Sequence, residues 1–160
     1  MKFTTFTDYA LRVLVYLAAA PERRATIAEI CAAYGIKANH LTKVVHHLGR
    51  RGWVATTRGN GGGLTLARPA SEIRVGDVVR DSEGQAKPAE CFAAEESSCA
   101  IARCCRLKGV LGEAAEAFHT VLDHYTLADI TSNARELASI LHFHPPSPRA
   151  AAALPSGSAP

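Results

Sequence analysis

Apolar side chains recur at the spacing of one helix face in three stretches of the first fifty residues. The helices that this pattern predicts cover about residues 8–20, 26–34 and 38–50. Thr7 or Asp8 is the expected N-cap of the first helix, and Thr26 with Glu29 forms the capping-box pattern of the second. A tight turn that contains glycine separates the second helix from the third, which carries many basic and polar residues. This arrangement is typical of a helix-turn-helix.

The pattern changes to that of β-strands directly after the third helix. Residues 53–57 and 64–67 predict two strands, and the turn between them, Arg58-Gly59-Asn60-Gly61-Gly62-Gly63, is rich in residues that tolerate a positive φ. A β-hairpin that follows a helix-turn-helix makes a winged helix. The predicted fold class is therefore mainly α with a small β-hairpin wing, in a winged helix-turn-helix followed by a long dimerisation helix.

The evidence for that long helix lies in the second half of the chain. Residues 71–83 predict a short extended segment and a short helix, and residues 85–103 an irregular loop. One apolar stripe then runs through four turns, at Leu111, Ala114, Ala115, Phe118, Leu122 and Tyr125. Such a helix in so small a chain commonly packs against its own copy, which predicts a homodimer. A last short helix is expected over residues 133–141.

These elements divide the chain into four predicted regions. They are a winged helix-turn-helix DNA-binding domain over residues 1–80, a cysteine-bearing loop over 81–108, a dimerisation helix with a C-terminal helix over 109–144, and a tail over 145–160. The tail is expected to be disordered because it consists largely of Ala, Ser and Pro and lacks the apolar residues that build a core.

Composition and charge narrow the function classes. Of the 160 residues, 48% are hydrophobic and 21% charged, as in a globular protein of one domain's size. The longest apolar run, residues 13–20, is far shorter than the ~20 residues of a membrane span, and no leader precedes it, so we expect a cytoplasmic protein without a membrane partner. Residues 1–70 carry ten Lys or Arg against three acids, whereas residues 71–160 carry eight against twelve. The basic half is suited to a polyanion.

Basic and short polar side chains cluster on the third helix and in the wing, where double-stranded operator DNA would bind. Exposed Lys and Arg would bind phosphates, Asn39 and His40 would reach base edges, and Arg58 suits a narrow minor groove. The predicted DNA-binding residues are Lys37, Asn39, His40, Lys43, Arg50, Arg58 and Asn60. The alternative is that the winged helix serves protein–protein contacts and that His46 and His47 are ordinary surface residues.

Four of the five cysteines, Cys91, Cys99, Cys104 and Cys105, lie within fifteen residues. An odd number of cysteines without a leader argues against a secreted disulfide framework and favours metal binding or redox chemistry. The spacing lacks the C-x2-C pairs of structural zinc sites, whereas iron–sulfur clusters accept looser thiolate spacing. Three thiolates and a fourth ligand from elsewhere would hold a cluster, and the adjacent Cys104 and Cys105 are not both expected to bind it. Cys31 is expected to be a buried thiol.

Several of these motifs together resemble one bacterial family. They are Phe6-Thr7-Asp8-Tyr9-Ala10-Leu11-Arg12, the glycine-rich wing, the three spaced cysteines, and Cys105-Arg106-Leu107-Lys108-Gly109 leading to Tyr125-Thr126-Leu127-Ala128-Asp129-Ile130. Over about residues 1–143 the chain resembles the bacterial iron–sulfur winged-helix repressors, and within them the nitric-oxide-sensitive members.

The resemblance implies a homodimer with crossing long helices and an iron–sulfur cluster held by Cys91, Cys99 and Cys105, with a 4Fe-4S cluster favoured over a 2Fe-2S cluster. It also implies that Asp8 reaches over from the partner subunit as the fourth ligand, although a carboxylate in the first turn of a helix is more commonly a cap. Cys105 is preferred to Cys104 because Arg-Leu follows it directly, as it follows the third family cysteine. The wider gap between Cys91 and Cys99 and the extra Cys104 depart from the family pattern.

The function that the resemblance implies is a transcriptional repressor that senses nitric oxide and releases operator DNA when its cluster is nitrosylated. One alternative is a regulator of cluster assembly or iron supply, but such regulators carry a histidine three residues after the third cysteine, where this chain has Lys108. Another is a thiol-based redox switch or enzyme, which the vicinal Cys104-Cys105 pair supports poorly. We expect no enzymatic activity.

Overall fold

The computed structural model describes residues 3–84, 89–92, 99–101 and 104–141. Its helices are α1 (Thr5–Ala19), α2 (Ile27–Tyr34), α3 (Ala38–Arg50), α4 (Val75–Glu83), α5 (Arg106–Asp123), α6 (Leu127–Ile130) and α7 (Ala134–Ile140). Strands β1 (Val54–Thr57) and β2 (Gly63–Leu66) pair antiparallel, and 3-10 turns cover Ala70–Glu72 and Glu90–Phe92. The predicted fold class is confirmed. The tail at 145–160 and parts of the predicted loop at 85–103 lie outside the described residues.

Helix α1 begins earlier than its apolar pattern predicts. Thr4 is the N-cap, and its hydroxyl oxygen accepts a hydrogen bond from the backbone N–H of Thr7 at 3.2 Å. The prediction of Thr7 or Asp8 as the cap is therefore wrong, because Thr7 is fully buried and Asp8 lies inside the first turn. Threonine has a weak helix propensity, so the polar start of α1 does not stand out in the sequence.

The middle of α1 runs through the core of the protein. Its most buried side chains are Ala10, Val13, Leu14 and Leu17, each at most 2% exposed. Periodicity predicts a stripe of Leu11, Leu14, Val15 and Ala18 on this helix, but all of these except Leu14 are only partly buried. The true stripe is rotated by about one position. Helix α1 contacts α3, α4, α6, α7 and β2, so several of its faces are covered and its apolar pattern does not mark a single direction.

The helix-turn-helix has the bounds that the sequence predicts. Thr26 and Glu29 make both halves of the capping box of α2, and Gly35 ends that helix at φ 64°, a left-handed conformation that glycine adopts without strain. Helix α3 buries one side, consisting of Leu41, Val44, Val45 and Leu48. Its opposite side is left to solvent.

The wing is a hairpin that is fastened to the body of the protein. Gly59 and Gly61 take φ values of 97° and 76° in its turn, as the composition of the turn predicts. Leu64 of β2 exchanges two backbone hydrogen bonds with Ala25, at 2.7 and 3.0 Å. Since Ala25 lies in the connection between α1 and α2, the wing cannot swing independently of the helix-turn-helix.

Helix α5 has 18 residues and buries none of them fully. The predicted stripe at 111–122 is mostly half-buried against the rest of the chain, and Tyr125 lies beyond the helix end. Exposed apolar residues form a neighbouring stripe with alternating spacings of three and four residues: Leu107, Val110, Ala114, Ala117 and Val121. This exposed stripe, which we call the α5 seam, has the spacing of a coiled-coil contact. Among the described residues, no helix has both the length and the apolarity needed to cross a membrane.

Candidate DNA-binding surface and cysteine segment

The solvent-facing side of α3 carries the predicted DNA-binding residues. Lys37, Asn39, His40, Lys43 and Arg50 are all exposed. Lys37 is the residue before the first turn of α3, and that turn contains no acidic side chain. The positive end of the helix dipole therefore adds to the charge of the lysines. This is the end that a recognition helix presents to the major groove.

The wing exposes Arg58 and Asn60 at its tip. Its turn is braced by Arg24, whose Nη1 donates a hydrogen bond to the carbonyl oxygen of Gly61 at 3.1 Å. Arg24 is not among the predicted site residues. It lies 37 positions from Gly61 in the sequence, and no local pattern predicts a contact at that separation. The brace holds the tip in one place relative to α3, as contact with the DNA backbone or minor groove requires.

The first turns of α1 lie against α3. The ring of Phe6 meets that of His47 edge-on, with 5.2 Å between centroids, and the ring of Tyr9 lies 6.4 Å from that of His40. A groove of about 240 Å³, open to solvent and lined mostly by apolar groups, lies between the two helices beside these rings. The start of α1 therefore contacts α3 through these two ring pairs.

Asp8 lies on the same turns of α1 and is accessible. Its Oδ2 is 3.0 Å from Nε of Arg12, and its side chain remains 44% exposed. The Arg12 guanidinium also lies 5.7 Å from the centroid of the Tyr34 ring, at the end of α2. Burial raises the pKa of Tyr34 to about 12, with Arg12 acting in the opposite direction, so its hydroxyl stays protonated at neutral pH. The Asp8 carboxylate is open to a partner molecule and is linked through Arg12 to the helix-turn-helix.

Two of the clustered cysteines lie at the N-terminal end of α5. Cys105 is the residue directly before the first turn, and it is half-buried. Its exposed neighbour Cys104 donates from Sγ to the carbonyl oxygen of Ile101 at 3.5 Å. Cys99 is exposed and lies directly before the turn residues Ala100 and Ile101. The backbone N–H groups of the first turn of α5 favour a negatively charged ligand at this end of the helix.

Cys91 is tied to α5 through its neighbour in the chain. It lies in the 3-10 turn Glu90–Phe92, and the Phe92 ring packs over Gly112 of α5. The Lys108 ammonium lies 5.8 Å from the centroid of the same ring. The segment that carries Cys91 is therefore held on the first half of the helix that Cys105 precedes.

The donor set fits an iron–sulfur cluster in chemistry but is not assembled in the single chain. Within the described ranges, no group of three or more His, Cys, Asp or Glu side chains is close enough to hold a metal ion. Cys91, Cys99 and Cys105 thus do not form a closed site, alone or with Asp8. They are thiols at or near the surface, as loading of a cluster requires. Cys31 instead packs against the core, and burial raises the pKa of its thiol.

A carboxylate on α4 holds the end of α3 and the base of the wing together. Asp81 accepts hydrogen bonds from Arg51, the residue after α3, and from Nε1 of Trp53 at 2.8 Å. The hydrogen bond from Arg51 lowers the pKa of Asp81, burial opposes this, and the hydrogen bond from Trp53 adds to it. The sequence pattern does not mark Asp81, because an acid near the end of a short helix is usually solvated.

The lowered pKa makes the contribution of Asp81 to stability dependent on pH. This contribution is present above the ordinary value of 3.8 and is lost as the pH falls from there through the folded-state value. Asp81→Asn is expected to lower the free energy of unfolding by about 1 kcal/mol at pH 7, and by progressively less below pH 3.8. Denaturant unfolding at several pH values measures this difference. Glu22→Gln, at an exposed carboxylate, is the control, and an equal effect of Asp81→Asn at all pH values would contradict the assignment.

An exposed basic recognition helix beside a braced wing defines a winged-helix DNA-binding protein. Residues 3–133 match the Rrf2 family, described as an iron-dependent transcriptional regulator. The chain belongs to the Rrf2 family. This confirms the predicted family and the prediction of a DNA-binding transcriptional regulator instead of an enzyme.

Three relatives share the name HTH-type transcriptional regulator NsrR. The protein of Geobacillus kaustophilus is 46% identical over 142 residues, which cover 88% of this chain and 97% of that protein. The protein of Shouchella clausii is 42% identical over 144 residues, covering 89% and 97% respectively. The protein of Halalkalibacterium halodurans is 42% identical over 146 residues, covering 91% and 100%. The likeness therefore extends from the winged helix through the cysteine segment, residues 91–105, and α5.

Solved structures show the same architecture. IscR of T. potens matches with a TM-score of 0.68 and 28% identity, over 86% of this chain and 90% of that one. CymR of B. subtilis, described as the global cysteine regulator, matches with a TM-score of 0.62 and 25% identity, over 83% and 98%.

Proposed function

We propose that this chain is a homodimeric repressor that holds an iron–sulfur cluster and releases its operator DNA in response to nitric oxide. The observation that carries the proposal is the contact between the first turns of α1, which bear Asp8, and α3, which bears the DNA-binding residues. A movement of the backbone at Asp8 would therefore change the packing of α1 on α3. The iron dependence in the family description supports the cofactor class, and the resemblance to nitric-oxide-sensitive repressors supports the signal.

Cys91, Cys99 and Cys105 would hold the cluster, and the partner's Asp8 would complete the ligand set. When bound, the cluster supplies iron that reacts with nitric oxide, most readily where its ligand is a weakly held carboxylate. The half-exposed side chain of Asp8 suits this role, because it would exchange an ion pair with Arg12 for the new bond. We propose a 4Fe-4S cluster ahead of a 2Fe-2S cluster.

The second copy that this ligand set requires would pack along the α5 seam. Leu107 and Val110 are each 60% exposed and Val121 is 55% exposed, which is unusual for apolar residues of one helix. Their coiled-coil spacing predicts that two α5 helices pack against each other along much of their length. Phe3, just before α1, contacts Phe118 in the second half of α5. An antiparallel packing would therefore place the start of α5 of one copy, which Cys105 precedes, near the start of α1 of the other.

Release of DNA would begin at the bond between Asp8 and the other subunit. That bond would fix the first turn of α1 relative to the partner. Its loss would let Phe6 and Tyr9, which both contact α3, move with the turn. The two recognition helices would then lose the fixed separation that half-sites about 34 Å apart require.

Anaerobic purification tests the proposal most directly. The measurements are iron and sulfide content, the visible spectrum, the mass in solution, and binding to an operator selected from random DNA, before and after addition of nitric oxide. We expect a dimer with iron and sulfide in similar amounts, and an operator affinity that falls by about fivefold or more with nitric oxide. An iron-free chain whose DNA binding ignores nitric oxide would overturn the proposal.

The wing offers a separate prediction for DNA binding. Arg58→Ala should weaken operator binding by about tenfold, reduce the slope of log affinity against log salt by about one, and relax any preference for a narrow A·T minor groove. Titrations at several salt concentrations measure all three effects. Arg135→Ala removes the same charge from exposed α7 and is the matched control. Unchanged affinity and site preference in Arg58→Ala would remove the wing from the DNA interface.

A further inference from the structure

Three charged residues near the end of α4 each contact a different part of the fold. Arg80 donates to both carboxylate oxygens of Asp123 on α5, at 2.6 and 3.1 Å. Asp81 accepts from the end of α3 and from the base of the wing, as described above. Glu83 accepts a hydrogen bond at 2.7 Å from the backbone N–H of Thr4, the cap of α1. Helix α4 therefore touches the long helix, the recognition helix and the start of α1 within four residues.

The contact between α4 and α5 is close as well as charged. Gly76 lies against Asp123, and a methyl group at Gly76 would overlap the Asp123 carboxylate. Hydrogen bonds from Arg80 lower the pKa of Asp123 and raise the pKa of Arg80, so both groups stay charged. A bidentate arginine–carboxylate pair fixes the relative orientation of its two side chains as well as their distance. Helices α4 and α5 are thus in close contact where Gly76 and Arg80 meet Asp123.

We propose that α4 is the positioning element that carries the state of the cysteine segment from α5 to the DNA-binding surface. Helix α4 would receive the change through the contact of Arg80 with Asp123 of α5, and would pass it on through the contacts of Asp81 with Arg51 and Trp53. This inference rests on the proposed function, because it needs a cysteine segment that changes state. Helix α5 begins directly after Cys105. As a rigid rod about 27 Å long, it would pass a shift at its first turn to Asp123 at its last residue.

The rest of the path runs through buried packing on α4 and the hydrogen bonds of Asp81. Val78 and Val79 on α4 are at most 1% exposed, so α4 moves as one body with the residues packed on it. Asp81 would pass that movement to Arg51, the residue after α3, and to Trp53, the residue before β1. This route differs from the one through Asp8 because it acts within one subunit and reaches the C-terminal end of α3, although Glu83 also links α4 to the start of α1.

The test compares two carboxylates that both pair with Arg80. Asp123→Asn weakens the pairing across to α5, whereas Asp77→Asn weakens an ion pair of 2.7 Å within α4 and is the matched control. The quantity measured is the ratio of operator affinities of the cluster-loaded and cluster-free dimers, together with cluster absorbance and mass in solution. Asp123→Asn should keep the cluster and the dimer but reduce the ratio by about two- to tenfold. Asp77→Asn should leave the ratio unchanged.

The outcomes separate this inference from the proposed function. If wild-type affinity does not depend on the cluster, the proposed function fails and the role of α4 fails with it. If wild type shows the dependence and Asp123→Asn retains it in full, or if both variants reduce the ratio equally, the positioning role alone is overturned. Arg80→Gln removes the same pair from the α4 side at a partly exposed position and should reproduce the effect of Asp123→Asn, which covers the case in which Asp123→Asn does not fold.

Discussion

Replacing Cys105 by serine is expected to abolish the visible absorbance of the cluster, because a serine hydroxyl is a poor replacement for a thiolate on iron. Cys91→Ser and Cys99→Ser should have the same effect. Without the cluster, operator affinity should fall by about fivefold or more. Spectra with iron and sulfide assays on anaerobic preparations, followed by DNA titrations, measure both effects.

The other two cysteines are the controls for this experiment. Cys31→Ser should keep the cluster, because this thiol packs against the core of the winged helix. Cys104→Ser should also keep it, although Cys104 is adjacent to Cys105 and is the more exposed of the two. A cluster lost in Cys104→Ser and retained in Cys105→Ser would show that the third ligand has been assigned to the wrong residue.

Replacing Asp8 by alanine is the second change with a large expected effect. The cluster should still assemble on three thiolates, but with an altered spectrum and greater lability, and DNA binding should weaken because the tie between subunits is gone. The loss of stability should be only about 0.3–0.5 kcal/mol, since Asp8 makes a half-exposed i,i+4 ion pair and Thr4 is the cap of α1. Spectra, nitric oxide titrations and unfolding curves test these three effects.

Two further variants sharpen the test of Asp8. Asp8→Cys should give an all-thiolate cluster that reacts more slowly with nitric oxide, because a tighter ligand blocks the open iron. Arg12→Gln removes the ion-pair partner without touching the carboxylate and should leave the cluster spectrum as in wild type. Spectra and nitric oxide titrations identical to wild type in both Asp8 variants would leave Asp8 as part of a surface ion pair.

The sequence alone predicts well the helices and strands that carry the proposed DNA-binding residues, for local physical reasons. Helix α3 was predicted to the residue because its amphipathic period is strong and the turn before it contains Gly35. The start of α1 was missed because the capping bond joins two threonines that also suit strands or loops. The four-residue α6 was missed because a single turn, capped by Thr126, is too short to show a period.

Local sequence patterns do not reveal long-range contacts or the assembly of the proposed metal site. The Asp123–Arg80 pair joins residues 43 positions apart, and each of the two side chains taken alone resembles an ordinary solvated charge. The clustering of the cysteines is visible in the sequence, but in our proposal their assembly into a site depends on a metal and on a second chain. The α5 seam lies beside the predicted stripe, because the residues of that stripe partly face the chain's own fold.

The α5 seam also has a consequence for how the protein folds. A helix of 18 residues that buries none of them fully within its own chain draws only part of its stability from that chain. If the seam is covered only by a second copy, association adds to the stability of α5, and the melting temperature rises with protein concentration. A cell with few copies of the regulator would then hold part of it as unpaired chains with a loosened α5, which are more open to proteases than the dimer.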